Sequence, residues 1–241
     1  MQPAKVVSQE EWLAARRALL AKEKAHMREG DALAAERRAL PWVKVDKTYV
    51  FDTAAGPKTL AELFDGRGQL IVHHLMYAPD WAAACPGCTF QAEHIDGPAP
   101  HLEHHDVSIV AVSSAPLDKL AAYKARMGWR FEWVSSAGDF NRDYRVTFTE
   151  DQIAQGRVDY NIGTIQTDPR YIDKELPGVS VFSKNDAGEV FHTYSTYARG
   201  LDALLGTNHY LDITPEGRND EAHPNWPRRR DEYGAAGPSH G

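Results

Sequence analysis

The chain has 241 residues, 27 basic and 34 acidic, for a formal charge of −7, and 42% of it is hydrophobic. That apolar share supports a real core and excludes global disorder, while the acidic balance argues against nucleic acid or an anionic membrane as partner. Met1-Gln-Pro-Ala-Lys-Val-Val-Ser8 lacks the apolar segment of a signal peptide, and no run is long enough to cross a bilayer. Two cysteines cannot scaffold a chain of this size through disulfides, so a reactive pair in a reducing, cytoplasmic setting is expected.

Ser8-Gln-Glu-Glu11 is a capping box, in which the serine hydroxyl takes an N-terminal amide and the glutamate reaches back. A long helix follows with Trp12, Leu13, Leu19 and Leu20 among alanines and charges. Gly30-Asp31 is expected to kink or restart it before Pro41 ends it. Its apolar face is thin, which suits an arm lying on the body or making a homo-oligomer contact with a partner subunit. Trp42–Val45 and Tyr49–Phe51 read as a short hairpin, and Leu60–Phe64 as one or two helical turns.

Leu70–Met76 is a short, near-continuous apolar run, the pattern of a strand buried on both faces. Ala78-Pro79-Asp80 breaks it, and a helical pattern resumes at Cys85. Val107–Val112 is a second such strand, and a helix from Pro116 to Gly128 follows it. This alternation predicts a parallel sheet covered on both faces. Phe131–Val134 is a further strand, and Asp139 a cap for a short helix with Phe140 and Tyr144. Thr147–Lys174 is a long excursion of weak periodicity. Pro177–Phe182 and Glu189–Thr193 flank a glycine-containing turn, as in an antiparallel hairpin. Ser195 or Thr196 is expected to cap a last helix that Gly206 ends. Beyond Gly217 the chain turns polar, and Arg228-Arg-Arg230 reads as a solvated tail.

The only two cysteines form Cys85-Pro-Gly-Cys88 at the strand-to-helix break. Unpaired amides and the positive end of a helix favour thiolate over thiol, so Cys85 is expected to be the attacking sulfur. Cys88, one turn further in, is placed to close a disulfide with it. Asp80 and Glu93 would oppose the negative charge. A rival constellation is a zinc site: Cys85, Cys88, His101 and His105 have the spacing of a two-cysteine, two-histidine finger. Pro98 and Pro100, however, stand where the helix of a finger would run. His73 and His74 face opposite sides of the first strand; buried, hydrogen-bonded histidines are expected, with one near the cysteine end as a second reading. Trp81 and Tyr77 suit the rim where a disulfide docks.

A strand-helix-strand unit with Cys-x-x-Cys at its first junction, followed by a hairpin and a helix, is similar to the thioredoxin fold. The resemblance implies an α/β thioredoxin-like fold, a central mixed sheet flanked by helices, with an N-terminal helical arm. The arm is residues 1–41, the thioredoxin-like domain 42–206 and the polar C-terminal tail 207–241. Such proteins place a cis-proline just before the third core strand, here Leu176-Pro177; this makes Leu176 and Pro177, with Trp81, substrate-binding residues by resemblance. Asp80-Trp81, Met127-Gly-Trp129, Trp133-Val-Ser-Ser136, Glu175-Leu-Pro-Gly178 and Phe191–Gly200 resemble one bacterial thioredoxin-like family, the "domain of unknown function 899" family, whose members are labelled predicted dithiol–disulfide oxidoreductases.

That resemblance implies catalysis by Cys85 and Cys88 through a mixed disulfide, no cofactor or metal, and a disulfide- or thiol-containing protein or small molecule as partner. The order Pro-Gly between the cysteines departs from the Gly-Pro of thioredoxin, which leaves the direction of electron flow open. The chain also resembles the peroxiredoxin-like branch, the basis of a thiol-peroxidase alternative. Peroxiredoxins carry a threonine three residues before the reactive cysteine, and here that residue is Ala82.

Overall fold

The computed structural model describes residues 4–156, 158–163, 174–223 and 226–233. The described chain divides into two compact units between Pro41 and Trp42. The first is essentially one helix, α1 (Gln9–Arg38). Its capping box forms as expected: Glu11 N donates to Ser8 Oγ at 3.2 Å and Ser8 N donates to Glu11 Oε2 at 2.9 Å. Gly30-Asp31 does not interrupt it. A helical glycine costs only about 1 kcal/mol relative to alanine, and the flanking Ala, Leu, Glu and Arg residues outweigh that. No residue of α1 is buried.

The second unit is built on a six-stranded sheet of order β1-β8-β7-β4-β5-β6. The strands are β1 (Val43–Lys44), β4 (Gln69–His74), β5 (Val107–Ser113), β6 (Glu132–Ser135), β7 (Gly178–Lys184) and β8 (Val190–Tyr197). β4, β5 and β6 run parallel, while β7 is antiparallel to both β4 and β8. A parallel pair with crossover helix, then an antiparallel hairpin added beside the first strand, is the thioredoxin-like arrangement. The hairpin expected near residue 45 does not form. β1 pairs with β8, and β2 (Val50–Phe51) pairs with β3 (Lys58–Thr59) in a separate ribbon. β1 finds a distant partner in place of β2, and Phe51 is fully buried in the aromatic core.

Alternation along β4 divides the core. Leu70 and Val72 point to one face with Phe51, Phe64, Phe140 and Phe182. Each such phenylalanine contributes about 1.5–3 kcal/mol by its burial. The other face carries Leu75, Ala111, Tyr123, Trp129, Trp133 and Cys88. That face is covered by α2 (Pro86–Ala92) and α4 (Leu117–Met127), which Gly128 closes in the left-handed conformation at φ 68°. α3 (Ala99–His104) leads into β5.

Several local expectations are corrected. Asp139 precedes α5 (Phe140–Asp143) but gives it no side-chain cap, because its carboxylate is taken by Lys47 and Arg142. The excursion contains a short helix, α6 (Glu150–Ala154), with its own capping box from Thr149 and Gln152; its remainder lies partly outside the described residues. Ser195 and Thr196 belong to β8 rather than to a helix cap, and Gly206 begins α7 (Gly206–Asp212) instead of ending a helix. Ser195 is held in the sheet by Ser180 at 2.9 Å and His192 at 2.7 Å.

The basic run is anchored to the body of this unit rather than a free tail, although Arg230 stays exposed. Trp226 stacks edge-on against Phe90 of α2, Arg230 pairs with Glu93 at 3.2 Å, and Asp231 receives Arg126 at 2.6 Å. Glu93 just after α2 and Arg126 on α4 draw this segment back by opposite charges, a pattern invisible from the run itself. No helix among the described residues is long and apolar enough to cross a membrane.

Candidate active site

β4 ends in a loop, residues 75–84, that carries the chain from the sheet to the start of α2. Lys119 and Arg229 hold the backbone of the loop. Lys119 on α4 donates to the carbonyls of Pro79 at 2.8 Å and Trp81 at 2.6 Å, and Arg229 donates to the carbonyl of Ala84 at 2.8 Å. Cys85 N donates back to Met76 O at 3.1 Å, which closes the loop at its base. Cys85 is the N-cap residue of α2 and Pro86 its first helical residue, a position where the missing N–H of proline costs nothing.

Cys85 is half-buried and Cys88 is 2% exposed; the two are not joined in a disulfide. The Cys85 side chain makes no cap hydrogen bond to the first-turn amides. It accepts a hydrogen bond from the Cys88 thiol, and that bond holds the Cys88 proton in place. Burial and the negative charges of Cys85 and Glu175 push the Cys88 pKa further up, against the Met76 amide, which donates to Cys88 Sγ at 3.3 Å. The arrangement distinguishes the sulfurs: an accessible acceptor, and a buried donor that keeps its proton.

The acidic neighbours are disposed differently from expectation. Asp80 is paired with Lys174 at 2.8 Å, whose hydrogen bond lowers the Asp80 pKa. Glu93 receives Trp129 Nε1 at 3.1 Å and Arg230. Both charges are answered by cations. The carboxylate that does bear on the site is Glu175, 3% exposed. It accepts from Tyr77 N at 2.7 Å and from the Ser114 hydroxyl. In the sequence it is one glutamate among many; only the fold brings it beside the loop.

The residues assigned by resemblance to substrate binding fall as follows. Trp81 is half-buried and packs against the core cluster that contains Cys88. Leu176 and Pro177 are half-buried, and Leu176 joins a separate cluster with Val146, Phe148, Tyr160 and Tyr197. The Leu176–Pro177 bond is trans; among the described residues the cis X–Pro bond is Trp226–Pro227. Leu176 N donates to Val146 O, and Glu175 bridges Thr147, so the approach to β7 is held as an extended backbone ladder. The cis-proline assignment is thus overturned.

The zinc alternative also fails on geometry. His101 and His105 are exposed on and just after α3, and no group of three or more metal-ligating side chains assembles among the described residues. His73 and His74 are both buried. His74 Nε2 lies 3.0 Å from Ser180 Oγ on the aromatic face, and its Nδ1 has no partner. His73 pairs in register with Ala111, on the face that α2 covers, and neither of its ring nitrogens has a hydrogen-bond partner. The expectation of satisfied histidines therefore fails for His73.

The sequence matches the family described as "Bacterial protein of unknown function (DUF899)" over residues 1–233, and the chain belongs to that family. Among curated proteins none matches it. The structure is similar to peroxidoxin BcpB from Mycobacterium tuberculosis, at 17% identity and a TM-score of 0.48, covering 71% of this chain and 97% of that one. It is also similar to peroxiredoxin Q from Xanthomonas campestris, at 17% identity and a TM-score of 0.45, covering 71% and 96%. The mitochondrial 2-cys peroxiredoxin from Plasmodium falciparum follows at 15% identity and a TM-score of 0.40, covering 71% and 92%.

Proposed function

We propose that this member of the family is a thiol–disulfide oxidoreductase in which Cys85 attacks and Cys88 resolves. The observation that carries this reading is the Cys88 thiol, buried and donating to the half-buried Cys85 sulfur at the end of β4. In the reducing direction the Cys85 thiolate attacks a substrate disulfide, forms a mixed disulfide and expels one substrate thiolate. Cys88 then gives up its proton and attacks Cys85 Sγ, releasing the second substrate sulfur. The protein dithiol becomes a disulfide, and the substrate disulfide becomes two thiols, so two electrons and two protons are accounted for. The same steps in reverse oxidise a dithiol substrate.

Trp81, Leu176 and Pro177 are the residues we assign to the docking of a disulfide- or thiol-containing partner, because they border the loop or the strand beside it. The test is exchange with a small aromatic disulfide followed by intact-mass measurement. The parent protein should end as an intramolecular disulfide, two mass units lighter than the dithiol, and Cys88→Ser should stop at a mixed disulfide on Cys85. A protein that neither exchanges nor forms the internal disulfide would rule the reading out. Conversion of Cys85 to a sulfenic acid by stoichiometric hydrogen peroxide, much faster than disulfide exchange, would favour the thiol-peroxidase alternative.

A further inference from the structure

Arg229 lies far along the chain from Cys85, yet it reaches both peptide groups that flank it. Its Nη2 donates to the carbonyl of Ala84 at 2.8 Å. Its Nε donates to the Tyr123 hydroxyl at 3.0 Å, the Tyr123 hydroxyl lies 2.8 Å from Thr89 Oγ1, and Thr89 Oγ1 donates to the carbonyl of Cys85 at 3.0 Å. The donor order follows from the ends. A guanidinium can only donate and a carbonyl can only accept, so Tyr123 donates its single proton to Thr89. Every hydrogen bond then points one way, from the cation to the Cys85 carbonyl, and successive bonds in such a chain strengthen one another.

We propose that Arg229 is a positioning residue for Cys85: it ties down the Ala84 carbonyl directly and the Cys85 carbonyl through Tyr123 and Thr89, and so sets the conformation and charge environment of the attacking sulfur. The proposal rests on the reading of Cys85 as nucleophile. Tyr123 and Thr89 are 5% and 1% exposed, so the relay is shielded from competing water. The segment that carries Arg229 is fastened independently by Arg230 to Glu93, Asp231 to Arg126, and Trp226 to Phe90. Both carbonyl oxygens carry partial negative charge close to the sulfur. The guanidinium that occupies one and polarises the chain to the other is itself paired with Glu232 at 3.1 Å, so it lessens their opposition to a thiolate through these oriented hydrogen bonds rather than as a free positive charge.

The test is the rate of Cys85 alkylation by iodoacetamide against pH, measured in the Cys88→Ser background so that one thiol reports. Arg229→Gln should move the profile up by about one pH unit, slowing the reaction on the order of tenfold at pH 7. The rate at high pH, where the thiol is ionised regardless, should be unchanged. Arg229→Lys should recover part of the loss. Tyr123→Phe, which breaks the relay but leaves the bond to Ala84, should shift the profile the same way by a smaller amount. It also decides the matter if Arg229→Gln does not fold. Profiles that superimpose on the parent, with only a lower melting temperature, would make the contact merely structural and overturn the proposal. The readout is the thiol itself rather than turnover. A protein with the shifted profile but no disulfide exchange would therefore sink the oxidoreductase reading and leave the role of Arg229 standing.

Discussion

Tyr77 donates its backbone amide to Glu175 Oε2 at 2.7 Å, one residue beyond the Met76 amide that donates to Cys88 Sγ at 3.3 Å. Consecutive amides of the loop thus hold a buried carboxylate and a buried sulfur side by side. The negative charge of Glu175 is one of the causes that keep Cys88 protonated. Glu175→Gln preserves a carbonyl acceptor for the Tyr77 amide while removing the charge. In a Cys85→Ser background, alkylation of Cys88 should then shift to lower pH and run faster at pH 8 than with Glu175 in place. An unmoved profile would mean that the Glu175 charge does not reach the sulfur.

The order of attack is open to the same measurement. The Cys88 thiol is 2% exposed, donates to Cys85 and has its pKa raised by that bond and by burial. Cys88→Ser, which retains Cys85, should alkylate near neutral pH at least about tenfold faster than Cys85→Ser, which retains Cys88. The reverse ranking would exchange the two roles.

How far the sequence foretold this depends on range. The β4 and β5 strands were legible because both are near-continuous apolar runs, and the α1 cap because Ser8 and Glu11 are local partners. The cysteine pair was legible as a motif. Its surroundings were not, since Glu175, Tyr123 and Arg229 reach it from three separate later segments. Nothing in the neighbourhood of Arg228-Arg229-Arg230 reveals that Glu93 and the Ala84 carbonyl wait for it. The Leu176–Pro177 assignment failed for a related reason. It was transferred from a resemblance, whereas the backbone there is set by pairing with Val146 and Thr147.

Phe140 is the hub of the core face opposite the cysteines. It is 1% exposed and its ring lies 4.6–5.6 Å from those of Tyr49, Phe51, His74 and Tyr144. Phe140→Ala removes all of these contacts and leaves a cavity that rigid aromatic neighbours cannot collapse into. A loss of about 3–5 kcal/mol is expected from urea unfolding. Because the sheet separates Phe140 from the cysteines, the Cys85 alkylation profile of the folded variant should match the parent. A loss below 1 kcal/mol would show that the aromatic cluster repacks.

Acid sensitivity should come from the paired histidines of β4. Burial holds His73 at a pKa of about 4 and His74 at about 3, each well under the usual value near 6.5. Both are therefore neutral in the folded protein, whereas in the unfolded chain each begins to bind a proton as pH falls through 6.5. The unfolded state then holds more protons, so their contribution is fully present above pH 6.5 and is lost as pH falls toward 4 and 3. Each histidine costs up to about 1.4 kcal/mol per pH unit in that window. Half-buried His192, also lowered by burial, acts in the same direction. The carboxylates whose pKa values are depressed by ion pairs, such as Asp80 and Asp202, lose their stabilisation only at lower pH, so pH 5 to 6.5 isolates the histidines. His73→Leu is the informative variant, because neither nitrogen of His73 has a hydrogen bond to lose. Urea unfolding of this variant should show a pH dependence flatter by about one proton between pH 5 and 6, and greater stability than the parent at pH 5. A pH slope equal to that of the parent would mean that His73 is already protonated or solvated in the folded state, contrary to its burial among Ala111, Val179 and the helix above them.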